Sequence, residues 1–215
     1  MPDIHHFALF LLSGLLLNMT PGADMLFIIS RSAGQGVRAG AMAALGVGAG
    51  CLVHVTAAAV GLSALIAASD VAFGAVKWLG AAYLVWLGIG LLRARAGEGP
   101  QQVVQQAAPV ALVPLRTVFL QGALTNVLNP KVVLFFLAFL PQFVGPAPGG
   151  QGWAFLLLGA VFTLNGTLFN LGVAWVAARA RSRMGRMQRA ALWLRRVTGL
   201  VFVGLGLRLA LASRL

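Results

Sequence analysis

The sequence predicts an all-α polytopic membrane protein whose six transmembrane helices form a 3+3 inverted repeat, with helices 1 and 4 broken. Three observations carry this prediction. The 215 residues are 60% hydrophobic and 9% charged, with a mean hydropathy of +0.90, far outside the range of water-soluble domains. Six apolar stretches, at residues 4–29, 40–67, 71–92, 117–144, 153–178 and 192–211, each lie near or above the roughly 20 residues that a helix needs to cross a bilayer. The first and fourth stretches also contain a proline beside asparagines, in NMTPGAD (18–24) and NVLNPK (126–131).

The first stretch is flanked by Asp3 rather than by lysine or arginine, and no small-residue cleavage site follows it. It therefore reads as helix 1 and not as a signal peptide. Pro21 cannot donate a backbone hydrogen bond and its ring clashes with the preceding turn, so the helix is interrupted near mid-membrane. The second stretch is rich in small residues. Its GVGAG (46–50) follows no strand and precedes no lysine, so it is a packing face rather than a nucleotide loop. Gly36 with Gly40, Gly46 with Gly50, and Gly199 near Gly204 and Gly206 offer surfaces for close helix approach. His54, alone among alanines and valines, is expected to be a helix-to-helix hydrogen-bond partner.

The third stretch carries Lys77 near its outer end, from where the side chain can snorkel. Residues 93–114, with Glu98, four glutamines and three prolines, read as a cytoplasmic linker between halves 1–92 and 115–215 of a single domain. The fourth stretch is broken at Pro130. The fifth adds Asn165 and Asn170 as polar candidates, and the tryptophans near helix ends are interfacial anchors. Three helices per half force the second half to enter the membrane from the opposite face. Freed backbone at membrane depth is tolerated only where protein buries it or a watery cavity receives it, so paired breaks point to a transporter site.

The net charge is +12, yet its distribution argues against nucleic acid. With an external N-terminus, Arg31, Arg38, Arg93, Arg95, Arg116 and the run from Arg179 to Arg196 fall on cytoplasmic connections, whereas Asp70 falls outside. That asymmetry predicts external N- and C-termini. The arginine run can also touch anionic lipid. Arg208 and Arg214 are exceptions at the outer end of helix 6. Cys51 is the single cysteine, so internal disulfides, CxxC redox pairs and cysteine metal clusters are excluded. The Asn18 and Asn165 glycosylation patterns lie at membrane depth, out of reach of the modifying enzyme.

Asp24 is the one acidic residue placed within the membrane. An aspartate at a helix centre costs roughly 2.5–3.5 kcal/mol on insertion scales, so it faces a cavity or a partner and suits a proton pathway. The competing role is to cap the helix that restarts after Pro21 and Gly22. Lys131, directly after Pro130, either counters the charge of Asp24 or holds a substrate carboxylate. Asn18, Asn126 and Asn129 can satisfy the freed backbone or bind a polar solute. Helix N-termini at the breaks suit a carboxylate and unpaired carbonyls suit an ammonium, so a zwitterion fits both.

At these residues the chain resembles the L-lysine exporter and homoserine/threonine resistance family of bacterial amino-acid exporters. The resemblance lies in MTPGADMLFIISRSAGQGVRAGAMAALGVGAG (19–50) and GALTNVLNPKVVLFFLAFLPQFV (122–144), and extends generally over nearly the whole chain. Ala23 stands where the family usually has proline, which implies a less rigid break. The resemblance implies export of amino acids or related metabolites across the bacterial cytoplasmic (inner) membrane by proton antiport, with no enzymatic activity and no cofactor. By position it implies Asn18, Pro21, Gly22 and Asp24 in the first motif and Asn126, Asn129, Pro130 and Lys131 in the second as substrate-binding residues, with Asp24 as the proton-coupling residue. A single carboxylate argues for neutral or homoserine-like substrates over lysine. The alternatives are a membrane scaffold or assembly subunit bound through its glycine faces, and an ion or metal transporter, for which one carboxylate and one histidine are a poor ligand set. A homodimer formed through the small faces is compatible with either reading.

Overall fold

The structure, a computed structural model, describes residues 4–68, 70–93, 112–145, 150–179 and 187–211. In chain order the helices are α1 (Phe7–Met19), α2 (Ala23–Gln35), α3 (Val37–Ala68), α4 (Asp70–Arg93), α5 (Leu115–Val127), α6 (Pro130–Phe139), a 3-10 turn (Leu140–Phe143), α7 (Gln151–Arg179) and α8 (Met187–Leu211). No strand forms among the described residues beyond an isolated bridge between Ile4 and Val144. The linker at 94–111, including Arg95 and Glu98, lies outside the described residues, as do Asp3, Arg181, Arg183, Arg186 and Arg214. The side chains of Asp70, Lys77, Arg189 and Arg195 lie outside them too.

Both prolines break their helices where the sequence places them. The first apolar stretch becomes α1 and α2, bent by 54°, and the fourth becomes α5 and the segment Pro130–Phe143, bent by 49°. Residues Val37–Gly61 of α3, and α7, are each long and apolar enough to cross a membrane, which makes four spans when each bent pair counts as one. The α4 and α8 helices pack chiefly against each other.

The two bent pairs run antiparallel. The end of α2 meets the start of α5, where Gln35 Nε2 donates to the Val113 carbonyl at 2.9 Å. At the opposite end, the His5 backbone N–H donates to the Phe143 carbonyl at 2.9 Å. Between α2 and α3 the chain reverses at Gly36, whose φ of 87° is a left-handed conformation that favours glycine.

Close packing of α3 on α5 explains the predicted face at Gly46 and Gly50. A Cβ at Gly46 or Gly50 would strike the Phe119 or Ala123 carbonyl of α5. Gly199 and Gly206 likewise meet Gly88 and Ala81 of α4, whereas Gly36 and Gly204 have open space around them. The predictions for Gly36 and Gly204 are thus corrected: Gly36 is a turn, and Gly204 touches no neighbour among the described residues, so neither is a contact face. Two apolar cores flank the bundle centre. One is aromatic, with Phe10, Phe135, Phe139, Phe143 and Phe162, and the other is built of smaller residues around Ile28, Ala43, Val47, Val118 and Ala174.

Candidate functional site

Each break begins with a carbonyl that its proline cannot serve. In an α-helix the carbonyl of residue i accepts from the N–H of residue i+4, so Pro21 deprives Leu17 and Pro130 deprives Asn126. The chain offers the same partial remedy in both places: the N–H three residues on turns back, from Thr20 to Leu17 at 3.1 Å and from Asn129 to Asn126 at 2.9 Å. A basic side chain from elsewhere adds a second donor. Lys131 Nζ donates to the Leu17 carbonyl at 3.1 Å and to the Thr20 carbonyl at 3.0 Å. His54 Nε2 lies 3.0 Å from the Asn126 carbonyl, and since a carbonyl only accepts, this nitrogen carries the proton.

The restarts differ. The α2 helix begins after Gly22, which provides no side-chain cap. The α6 helix begins with Pro130 in its first turn, and the Asn129 side chain caps it by accepting from the Lys131 N–H at 3.0 Å, the arrangement that helix starts prefer.

Asp24 lies in the first turn of α2, but its carboxylate reaches across to the other half. Its Oδ2 accepts from Asn126 Nδ2 at 2.8 Å and from Asn129 Nδ2 at 3.0 Å. Lys131 shares the cavity with Asp24, yet among the described residues it forms no direct ion pair with it; its ammonium is spent on the α1 carbonyls. Three buried polar atoms here have no hydrogen-bond partner among the described residues: Asp24 Oδ1, Asn126 Oδ1 and Asn18 Nδ2. Two are acceptors and one is a donor.

These side chains face a cavity of about 30 Å³, room for about two water molecules. Of the residues predicted from sequence, Asn18, Asp24, Asn126, Lys131 and Asn170 line it. Pro21, Gly22, Asn129 and Pro130 shape the breaks behind that lining. Asn165 is not among the lining residues, because α7 presents Thr163, Gly166, Thr167 and Asn170 to the cavity, positions that share one helical face at intervals of three and four residues, whereas 165 does not. That spacing was visible in the sequence and is the signal by which Thr163 and Thr167 could have been found. An apolar wall of Leu17, Met25, Val47, Val132 and Phe162 completes the cavity. Cys51 also lines it, and its sulfur accepts from the Thr163 hydroxyl at 3.3 Å.

Two side-chain clusters tie the bent pairs together, one toward each end. Toward the His5 and Phe143 end, Phe135, Phe139 and Phe143 form a row of tilted and edge-on rings with centroid spacings of 4.7 Å, and Phe10 and Phe162 join at 5.3 and 5.2 Å. Toward the Gln35 and Val113 end, Arg31 donates to Gln35 Oε1 at 3.0 Å and to Gln121 Oε1 at 2.8 Å, linking α2 to α5.

The chain matches the profile of the LysE type translocators over residues 15–213. It is 35% identical to an uncharacterized membrane protein of Pseudomonas aeruginosa over 197 residues, covering 91% of this chain and 90% of the relative. It is 32% identical to the uncharacterized membrane protein YrhP of Bacillus subtilis over 195 residues, 89% and 92% of the two chains. A leucine efflux protein of Salmonella typhimurium is 29% identical over 202 residues, 94% and 92% of the two chains. No solved structure matches the chain significantly. With both proline motifs inside the matched region and polar side chains of both breaks around one cavity, the chain belongs to the LysE type translocator family and is a membrane transporter, not an enzyme.

Proposed function

We propose that the protein exports neutral amino acids, of leucine-like or homoserine-like size, across the bacterial inner membrane by proton antiport with alternating access. The observation that carries this reading is the Asp24 carboxylate held by Asn126 and Asn129 across the two breaks. A carboxylate at membrane depth that faces a polar cavity is the usual carrier of a coupling proton. The unpartnered acceptors on Asp24 and Asn126 suit an ammonium group, the donor on Asn18 suits a carboxylate, and the apolar wall suits an aliphatic side chain. The leucine efflux relatives support the same substrate class.

The antiparallel course of the two bent pairs supports six spans in inverted halves, with α4 and α8 as the third span of each half. The arginine distribution supports external termini. A cavity with room for about two waters does not hold an amino acid, so binding requires either the phenylalanine cluster or the Arg31 link to open. A membrane potential of 100 mV contributes roughly 2.3 kcal/mol per charge moved, or about fifty-fold accumulation for an electrogenic one-proton exchange. The test is a proteoliposome assay with an imposed pH gradient and a panel of labelled amino acids. Counterflow of neutral amino acids that follows the proton gradient is expected; no movement of any amino acid in either direction would sink the reading.

A further inference from the structure

We infer that His54 is a positioning residue, holding Asn126, and through it Asp24, in working geometry by supplying the N–H that Pro130 lacks. His54 is 9% exposed and Asn126 is 3% exposed, so water does not replace this bond cheaply. The connection is continuous: His54 Nε2–H donates to the Asn126 carbonyl at 3.0 Å, and the Asn126 amide donates to Asp24 Oδ2 at 2.8 Å. The imidazole is wedged beside Phe136 of α6, with ring centroids 6.3 Å apart. The ionisable side chains around the adjoining cavity are Asp24 of α2, Lys131 of α6 and Cys51 on the histidine's own helix. Among the described residues none of them hydrogen-bonds the imidazole, whose Nε2–H is directed at the Asn126 carbonyl. At the other break, Lys131 meets the Pro21-deprived carbonyl in the same way, so the two basic residues occupy equivalent places in the two halves.

The inference rests on the export reading, and its test separates the two. His54→Gln keeps an N–H the same number of bonds from the backbone as Nε2, but cannot titrate; His54→Leu keeps the bulk and removes the donor. In proteoliposomes loaded with labelled leucine, His54→Gln should stay within about threefold of the parent with an unchanged pH profile. His54→Leu should lose about tenfold or more, and the pH profile of its remaining exchange should move by about half a pH unit or more. Parent-like exchange by His54→Leu overturns the inference, and so does a pH profile that moves as far in His54→Gln as in His54→Leu. Should His54→Leu not be recovered folded, His54→Asn, whose amide is one bond too short, takes its place: activity equal to that of His54→Gln overturns the inference, and clearly lower activity supports it. If the parent moves no amino acid, the export reading fails, but the pH dependence of the detergent-solubilised protein's Tm still decides on His54. Both variants lack the imidazole, so the comparison is between them: His54→Leu should differ from His54→Gln in that dependence, the difference should vanish when Asp24→Asn is added to both, and identical dependences in the two single variants overturn the inference.

Discussion

The break between α1 and α2 and the break between α5 and α6 solve one problem with unequal means. The second is built largely from its own chain: Asn129 caps α6, the Asn129 N–H returns to Asn126, and only His54 comes from outside. The first has no side-chain cap on α2, and two of its carbonyls rely on Lys131, which belongs to the other half. Its carboxylate, too, is held by the other half's asparagines. The second break therefore draws most of its partners from its own segment, and the first draws most of its partners from the second. Under the proton antiport proposed above, that asymmetry assigns the moving, proton-sensing part to the α1–α2 side.

Substitutions can break this comparison, and the largest effect is expected at the charge itself. Asp24→Asn removes the exchangeable proton with little change of shape, so proton-driven exchange should fall by about 10²-fold or more, the range in which a lost proton-transfer group acts. Leucine counterflow under a pH gradient measures it, and full coupling in the variant would remove Asp24 from the mechanism. Lys131→Met strips the first break of its outside donor. It leaves the Leu17 and Thr20 carbonyls short of partners and Asp24 without a nearby cation, a loss of about 2–4 kcal/mol and a Tm lower by about 5–10 °C in detergent. If the two breaks were equally self-sufficient, that drop would be absent.

A smaller loss of about 1–2 kcal/mol is expected from Asn129→Ala, which removes the cap of α6. Asn129→Ser sharpens the point, since serine restores a cap but does not reproduce the amide donor to Asp24. Its Tm should recover while its exchange rate stays low, and recovery of both would assign Asn129 to structure alone. The mildest effect belongs to Gly166→Ala, whose Cβ would lie 2.9 Å from Asn18 Nδ2. The end of a side chain can yield, so Tm should hold to within about 2 °C while KM for the amino acid rises by about threefold. An unchanged KM would take Asn18 out of the substrate's reach.

Local chemistry made much of this molecule legible. Proline in a long apolar run dictates a break, and both breaks stand where Pro21 and Pro130 predict them. Asp24 alone among the acidic residues lay within an apolar run, which singled it out. What could not be read was the choice among several roles open to each residue. The Asp24 side chain had a local use as a cap and a distant one as a partner, and the structure realises the distant one. Lys131 had seemed suited to pair with Asp24, yet it stabilises carbonyls of α1. His54 looked like an ordinary helix-to-helix bond, and only its acceptor, the very carbonyl that Pro130 leaves unserved, gives it significance.

The sequence by itself determined that the chain lives in a membrane, that it is helical, and that two of its helices cannot run straight, because hydropathy and the missing proline N–H act within a few residues of chain. The tertiary structure alone decided which groups meet at those breaks. The bonds from Asp24 to Asn126 and Asn129 join residues 102 and 105 positions apart, and no local periodicity encodes such a distance. It is set by how closely α3 and α5 approach across Gly46 and Gly50, and by the antiparallel packing that brings one half's carboxylate to the other half's amides.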